Sequence, residues 1–301
     1  MSAIRTENLS KSFLSVRALR QLNLEVPEGA IYALVGPNGA GKTTAIKVMM
    51  NILAPSSGRA EVLGLDSSKL AGRLLTQVGY VSENQQLPEW MRVDYFFNYL
   101  RPFYPNWDRE LERALIQQME LPLDRKLKHL SRGMKMKAAL ASSLAYRPKL
   151  IVLDEPFSGL DPLVRDQLVE SLLERASEAT VLISSHDLAE IESFSSHVGY
   201  LEEGRLKFSE EMATLSGRFR EVQVTLEAAP SMPARMPETW LQPASAGAIF
   251  QFIDSHFDQE RTSAAIQALF GPVHDVTYTP MPLRAIFLAM AKSSRSSSAA
   301  A

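Results

Sequence analysis

Residues 36–43 read Gly36-Pro37-Asn38-Gly39-Ala40-Gly41-Lys42-Thr43. Two glycines separated by four residues, then lysine and threonine, is the spacing of a phosphate-binding loop. Glycines allow the backbone to wrap closely, so that its N–H groups point at phosphate oxygens. Lys42 supplies a point charge to the outer phosphates, and the Thr43 hydroxyl is placed to ligate Mg²⁺. A second set of groups follows an apolar run, Leu150-Ile151-Val152-Leu153-Asp154-Glu155. There Asp154 can hold Mg²⁺ through its waters, and Glu155 can act as general base on an attacking water. Acidic residues are also common where a solvated helix begins, and the pair alone leaves both readings open. A third apolar run, Thr180 to Ser185, ends at His186. A lone histidine is more often structural than catalytic, but this one falls at a strand end where a terminal phosphate would lie. His129, His197, His256 and His274 have no such setting and are read as structural.

These groups need a scaffold that brings them to one edge. Ala30 to Val35, Leu150 to Leu153 and Thr180 to Ile183 are short continuous apolar runs, as expected of strands buried on both faces of a mainly parallel sheet. Ligands bind at the carboxyl ends of strands in such sheets. A helical pattern opens at Thr43 and runs through Ile46, Val48, Met49 and Ile52, which puts a positive helix terminus at the loop. A helix-rich insert is predicted over about 88–146. Val198 to Leu201 and Arg205-Leu206, joined by Glu202-Glu203-Gly204, read as a hairpin. The fold class is therefore α/β, with a small α+β domain over 216–291. In that domain strands are predicted at Val222 to Leu226, Ile249 to Ile253 and Val273 to Tyr278, with helices at Ser263 to Phe270 and Leu283 to Ala291. A loop carrying Pro230, Pro233 and Pro237 joins its first two strands. The Ser/Ala-rich stretch 292–301 is predicted to be disordered.

Composition narrows the function. The 301 residues are 46% hydrophobic and 22% charged with a net charge of −2, as in an ordinary globular protein. No electrostatic footprint for nucleic acid or anionic lipid is present. The absence of cysteine excludes disulfides and thiolate metal sites and is compatible with a reducing compartment. No apolar signal core opens the chain, and no apolar run approaches the ~18 residues of a spanning helix. Any link to a membrane is expected to go through a partner.

Together these residues resemble the nucleotide-binding domain of ABC transporters, over most of residues 2 to about 215. Gly36 to Thr44, including Asn38, Gly39, Ala40, Gly41 and Thr44, looks like Walker A, and Leu150 to Glu155 like Walker B with its catalytic glutamate. Ser158-Gly159-Leu160-Asp161 matches the D-loop, His186 the switch histidine, and Leu130-Ser131-Arg132-Gly133-Met134 the signature motif. Phe13 resembles the aromatic that stacks on adenine. The resemblance implies a P-loop NTPase core over 1–215 with an antiparallel β subdomain and the helical insert. It also implies ATP and Mg²⁺ as ligands, and ATP-dependent head-to-tail pairing with a second copy or a homologous ATPase subunit. In such a pair ATP on the loop of one subunit is capped by Ser131 and Gly133 of the other. The implied partner is an integral membrane permease, which places the chain in the cytoplasm, peripheral on the inner face of the cell membrane.

The family motif is usually Leu-Ser-Gly-Gly-Gln; here Arg132 replaces the first glycine and Met134 the glutamine. Glu83 stands where many members carry the Q-loop glutamine, and its carboxylate can bind Mg²⁺ or water only as an acceptor. Such substitutions are familiar among exporter-type ATPases, so an exporter is expected rather than an importer. The 216–291 domain resembles, more weakly, accessory domains of exporter ATPases and is expected to support dimerisation. An alternative is a soluble ABC ATPase acting on ribosomes or DNA. Those relatives carry two such domains or long coiled-coil insertions, whereas this chain has one P-loop and no basic surplus. The aromatics Trp90, Tyr95, Phe96, Phe97, Tyr99, Phe103, Tyr104 and Trp107 crowd the insert. They suit either the core of the insert or an anchoring groove for a permease helix.

Overall fold

The computed structural model describes residues 1–176, 178–229, 232–233 and 235–290. The expected tail at 292–301, the end of the closing helix at Ala291 and the loop residue Pro230 lie outside the described residues. The chain divides into two compact units, one ending at Ser209 and the other beginning at Glu210.

In the first unit the strands are β1 (Ser2–Phe13), β2 (Val16–Leu22), β3 (Glu25–Pro27), β4 (Ile31–Val35), β5 (Ser57–Val62), β6 (Leu65–Asp66), β7 (Val78–Ser82), β8 (Leu150–Asp154), β9 (Thr180–Ser185), β10 (His197–Glu202) and β11 (Arg205–Glu211). The helices are α1 (Lys42–Met49), α2 (Val93–Leu100), α3 (Arg109–Gln118), α4 (Arg132–Leu144) and α5 (Pro162–Ala176). A sheet in the order β11-β10-β4-β9-β8-β7 holds the centre. The pairs β10/β4, β4/β9, β9/β8 and β8/β7 are all parallel. Every residue of β4, β8 and β9 is buried, which is why their apolar runs are continuous rather than alternating. A second, antiparallel sheet joins β1 to β2, β3 and β5, and β5 to β6. The two share a core in which Leu34, Val152 and Leu182 pack with Ile46 and Met49 of α1.

Helices α2, α3 and α4 fall inside the expected insert. Each of the last two is capped by a side chain: Asp108 accepts from the N–H groups of Glu110 and Leu111, and Ser131 from that of Met134. Buried Ser142 and Ser143 in α4 return their hydroxyls to Ala139 O and Leu140 O, so they carry no unmet donor. The insert's aromatics divide between its core and its surface. Phe96 and Phe97 are buried, whereas Trp90, Tyr95, Tyr99 and Phe103 are exposed. Met49, Met50 and Met136 are core residues.

Helix α1 ends at Met49 and does not continue through Ile52 as the apolar spacing suggested. Asn51 takes φ 55°, a left-handed conformation that ends the helical ladder.

The second unit contains α6 (Met212–Arg218), β12 (Arg220–Thr225), β13 (Trp240–Ala246), β14 (Ile249–Asp254), α7 (Gln259–Phe270), β15 (Asp275–Pro280) and a helix over 283–290. Its sheet runs β13-β14-β12-β15, with antiparallel neighbours throughout. Val222, Val224, Phe250, Phe252 and Trp240 form its core with Ile266 of α7. Helix α7 starts at Gln259, a turn before the expected Ser263, because the Asp258 side chain accepts from Arg261 N and caps it. Strand β13 was not expected. Pro243 interrupts its pattern, and the ladder absorbs the proline at an irregularity between Leu241 and Ala244.

Candidate active site

Three adjacent parallel strands deliver the candidate groups to one edge. The loop leaves β4, the carboxylates end β8, and His186 follows β9, so neighbours in the sheet become neighbours in the site. The loop's shape depends on two glycines in particular. A Cβ on Gly36 would fall 2.0 Å from Leu201 O. At Gly41, the N-cap of α1, φ is 107° and a Cβ would fall 2.5 Å from Ala18 O. No other residue fits either place without displacing backbone.

Lys42 is buried, with 5% of its surface exposed. Its ammonium has three N–H donors and three acceptors: Gly36 O at 2.6 Å, Pro37 O at 3.3 Å and Glu155 Oε1 at 3.0 Å. The other carboxylate oxygen of Glu155 lies 2.7 Å from His186 Nδ1. A carboxylate can only accept, so Nδ1 carries the proton of that bond. Glu155 is thus engaged on both oxygens, and its backbone takes φ 51°, a left-handed conformation that turns the side chain toward the loop. The bond to Glu155 raises the His186 pKa above its ordinary value of 6.5, opposed in part by desolvation and by the Lys42 charge.

Asp154 lies beneath, 4% exposed. Its Oδ1 accepts from Thr43 Oγ1 at 2.9 Å and from Ser184 Oγ at 2.8 Å. Burial raises its pKa above the usual carboxylate range. The two hydroxyl bonds work against that shift, and the neighbouring Glu155 charge adds to it. Ser184 also accepts from Glu155 N at 2.9 Å, which ties both carboxylate residues to the end of β9. Sequence reasoning missed Ser184; a serine closing an apolar strand one residue short of a site strand end was the only signal. It also missed Glu190, whose carboxylate accepts from Ser185 Oγ at 2.8 Å, and whose pKa burial raises.

Asn38, Gly39, Ala40, Gly41, Lys42, Thr43, Thr44, Glu83, Glu155 and His186 line one cleft of about 450 Å³, together with Ala18 and Ser158. A cleft of about 480 Å³ at the opposite ends of the strands is lined by Glu28, Lys149, Glu178 and neighbours, and gathers no phosphate-binding loop. Among the described residues no cluster of three or more acidic or histidine side chains is arranged for a metal ion. A hard cation here would take oxygen from Thr43 and Asp154, already 2.9 Å apart, and the rest from phosphate and water, a donor set that suits Mg²⁺. Phe13, Ser131 and Gly133 do not line this cleft. Phe13 ends β1, 43% exposed, with Lys11 Nζ 5.1 Å from its ring centre. Ser131 and Gly133 sit at the start of α4, where a Cβ on Gly133 would meet Val164 at 3.1 Å.

Residues 19–158 match the family model described as ABC transporter. Lantibiotic transport ATP-binding protein SrtF of Streptococcus pyogenes is 31% identical, over 69% of this chain and 90% of that protein. Bacitracin transport ATP-binding protein BcrA of Enterococcus faecalis is 30% identical, over 72% of each. An ABC transporter ATP-binding protein of Synechocystis is 31% identical over 70% of this chain, which spans only 62% of that longer protein. A solved ATP-binding subunit of an ABC transporter superposes with a TM-score of 0.66 at 28% identity, over 72% of this chain and 92% of the other. A dimeric ATP-binding cassette in a post-hydrolysis state with ADP and Pi shares the fold, with a TM-score of 0.63 at 22% identity, over 69% of this chain and 98% of its own.

Proposed function

The chain belongs to the ATP-binding subunits of ABC transporters, and from that premise we propose that it powers a separate membrane permease of the exporter type, working as an ATP-driven dimer. It is an ATPase. The observation that carries the reading is the convergence of Lys42, Thr43, Glu155 and His186 on one cleft at the ends of β4, β8 and β9, with Asp154 beneath it bonded to Thr43.

In the proposed mechanism Gly36 to Thr44 wrap the phosphates with backbone N–H groups, and the N-terminus of α1 adds its dipole. Lys42 transfers its charge from Glu155 to the outer phosphates. Thr43 and Asp154 would hold Mg²⁺, which would supply charge neutralisation at the phosphate oxygens. Glu155, once released, accepts a proton from the attacking water, while His186 keeps its carboxylate oriented. Glu83 at the mouth offers a further acceptor for the cation or the water. Phe13 is assigned to the adenine face.

Ser131 and Gly133 stand outside the cleft of their own chain. Their proposed role is to cap the nucleotide of a second subunit, an isologous pairing in which the same loop-to-α4 contact is made twice about one two-fold axis. No helix among the described residues is long and apolar enough to cross a membrane. The location that goes with a permease partner is peripheral, on the cytoplasmic face, with the exposed Trp90, Tyr95, Tyr99 and Phe103 of the insert as candidates to meet the permease. The relatives' names attach them to lantibiotic and bacitracin transport without a direction; the proposed exporter direction rests on Glu83 and Arg132, the departures that resemble exporter-type ATPases. The test is affinity isolation from detergent-solubilised native membranes, with the tag placed after Ser293. The expected result is an integral membrane protein near one-to-one that stimulates ATP hydrolysis. An ATPase that remains alone and unstimulated overturns the transport reading.

A further inference from the structure

Two departures from the family pattern meet each other. Arg132, at the first helical position of α4, places Nη2 2.6 Å from Glu83 Oε1, in the loop that follows β7. The guanidinium lies across a turn whose geometry leaves room for it: a Cβ on Gly159 would fall 2.9 Å from Nη1, and Gly159 has φ 66°. Nearby Lys135 is engaged elsewhere, with Nζ 3.3 Å from Glu89 Oε1.

We propose that Arg132 is a positioning residue for the nucleotide site: through its ion pair with Glu83 it holds the loop after β7 and the first turn of α4 as one unit. The inference rests on reading the cleft as the ATP site and adds to it. Glu83 lines the phosphate cleft and also a neighbouring groove of about 250 Å³ that Arg132 shares. The pair therefore stands on the wall between the two. The main chain of Glu83 is anchored as well, its N–H donating to Asp154 O at 2.9 Å. Arg132 follows Ser131, which caps α4, and precedes Gly133. Movement of the Glu83 loop, which the cleft would feel as its nucleotide changes, is thus transmitted to the turn that presents Ser131 and Gly133. A neutral glutamine at 83 would hold arginine less strongly, and a glycine at 132 would offer nothing to hold. The planar fork of arginine suits a place where it must reach a carboxylate while lying flat on a glycine turn.

The test is a double-mutant cycle on the full chain with R132Q, R132K, E83Q and the E83Q/R132Q pair. Hydrogen exchange of the nucleotide-free protein reads the pair directly. The amides to follow are Gln85 in the loop, bonded to Ser82 O, and Met134 and Lys135 in α4, bonded to Ser131, together with Glu83, whose N–H is bonded to Asp154 O. R132Q is expected to speed their exchange about fivefold, the upper range for a pair this exposed, with the double variant no faster than the faster single variant. Turnover under saturating ATP is expected to fall about fivefold in R132Q while KM for ATP stays within about twofold, with R132K recovering part of the loss. Exchange unchanged in R132Q, or a double variant equal to the product of the singles, overturns the proposal. So does faster exchange spread over the whole first unit, which would mean simple loss of stability. If wild type and every variant fail to hydrolyse ATP, the ATPase reading fails, yet the exchange arm still decides whether the two residues act as a unit.

Discussion

Replacing Glu155 with glutamine separates the two duties of that side chain. It keeps the length and one acceptor oxygen, and removes the charge that Lys42 and His186 face at 3.0 Å and 2.7 Å. Removing one partner of a fully buried ion pair costs about 3–5 kcal/mol. Here the ammonium keeps Gly36 O and Pro37 O, and the amide oxygen can still accept from it. The loss is then the difference between a charge-assisted and an ordinary bond, about 1–2 kcal/mol. At about 2–4 °C per kcal/mol for a unit of this size, the nucleotide-free melting midpoint of E155Q should drop by about 2–8 °C. ATP should invert the order. In the wild type a phosphate must displace Glu155 from Lys42; in the variant that cost is largely gone. The same 1–2 kcal/mol should appear as roughly 5- to 30-fold tighter ATP binding. Hydrolysis should fall at least ~10²-fold, because the group that accepts the proton of water is lost. Melting curves with and without ATP, a fluorescent-nucleotide titration and phosphate release measure the three quantities. Nucleotide binding no tighter than wild type refutes the resting pair as a competitor of phosphate. Unchanged turnover refutes Glu155 as the base.

The remaining predictions use the same site. The folded pKa of His186 is raised, so its pairing with Glu155 contributes stability that is complete below its ordinary 6.5 and fades as pH rises through the folded value. The melting difference between wild type and H186A should therefore shrink as pH rises from the ordinary 6.5 through the raised folded value, and a difference that grows counts against the pair. Burial raises the Asp154 pKa too, so at neutral pH the fold carries that charge at a cost. D154N keeps an oxygen for Thr43 and Ser184; it should melt no lower than wild type without nucleotide while losing hydrolysis, and a midpoint more than about 3 °C lower contradicts this. G41A should lower the midpoint and abolish nucleotide binding, the left-handed conformation alone costing about 1–3 kcal/mol. G217A, inside α6 and with nothing within 4 Å of an added methyl, is its control and should leave nucleotide binding unchanged and the midpoint unchanged or slightly raised.

How far the site was legible follows from what each residue's role depends on. Lys42, Thr43, Asp154, Glu155 and His186 were readable because local sequence sets their position: each closes or follows a strand whose apolar run is uninterrupted. Ser184 was not, because its role arises only when β8 and β9 lie side by side and its hydroxyl reaches Asp154. The meeting of Glu83 and Arg132, 49 residues apart, was equally invisible. Each had been noted as a departure, but no local pattern brings them together. In the second unit β13 was hidden by Pro243, and the start of α7 by a capping aspartate, Asp258, ahead of the expected start at Ser263. Periodicity reports which face is buried, whereas caps, bulges and cross-strand hydroxyls are decided by neighbours that the chain supplies from elsewhere.

The resting contacts bear on why a subunit that carries its own base and its own phosphate lysine need not be active alone. Both oxygens of Glu155 are occupied, one by the ammonium that phosphate would claim and the other by His186. On the proposed mechanism the base is free for water only after nucleotide has drawn Lys42 away, so binding and activation would be the same event at that lysine. One requirement still lies outside the cleft. Ser131 and Gly133 stand at the start of α4 and do not line it. On the proposed mechanism a second subunit must bring its own copies of these residues to close the nucleotide in. Hydrolysis would then depend on protein concentration more steeply than nucleotide binding does, approaching second order at low concentration. A turnover per subunit that stays constant on dilution, in a protein that still binds ATP, would show that one cleft suffices and would remove the reason for the dimer.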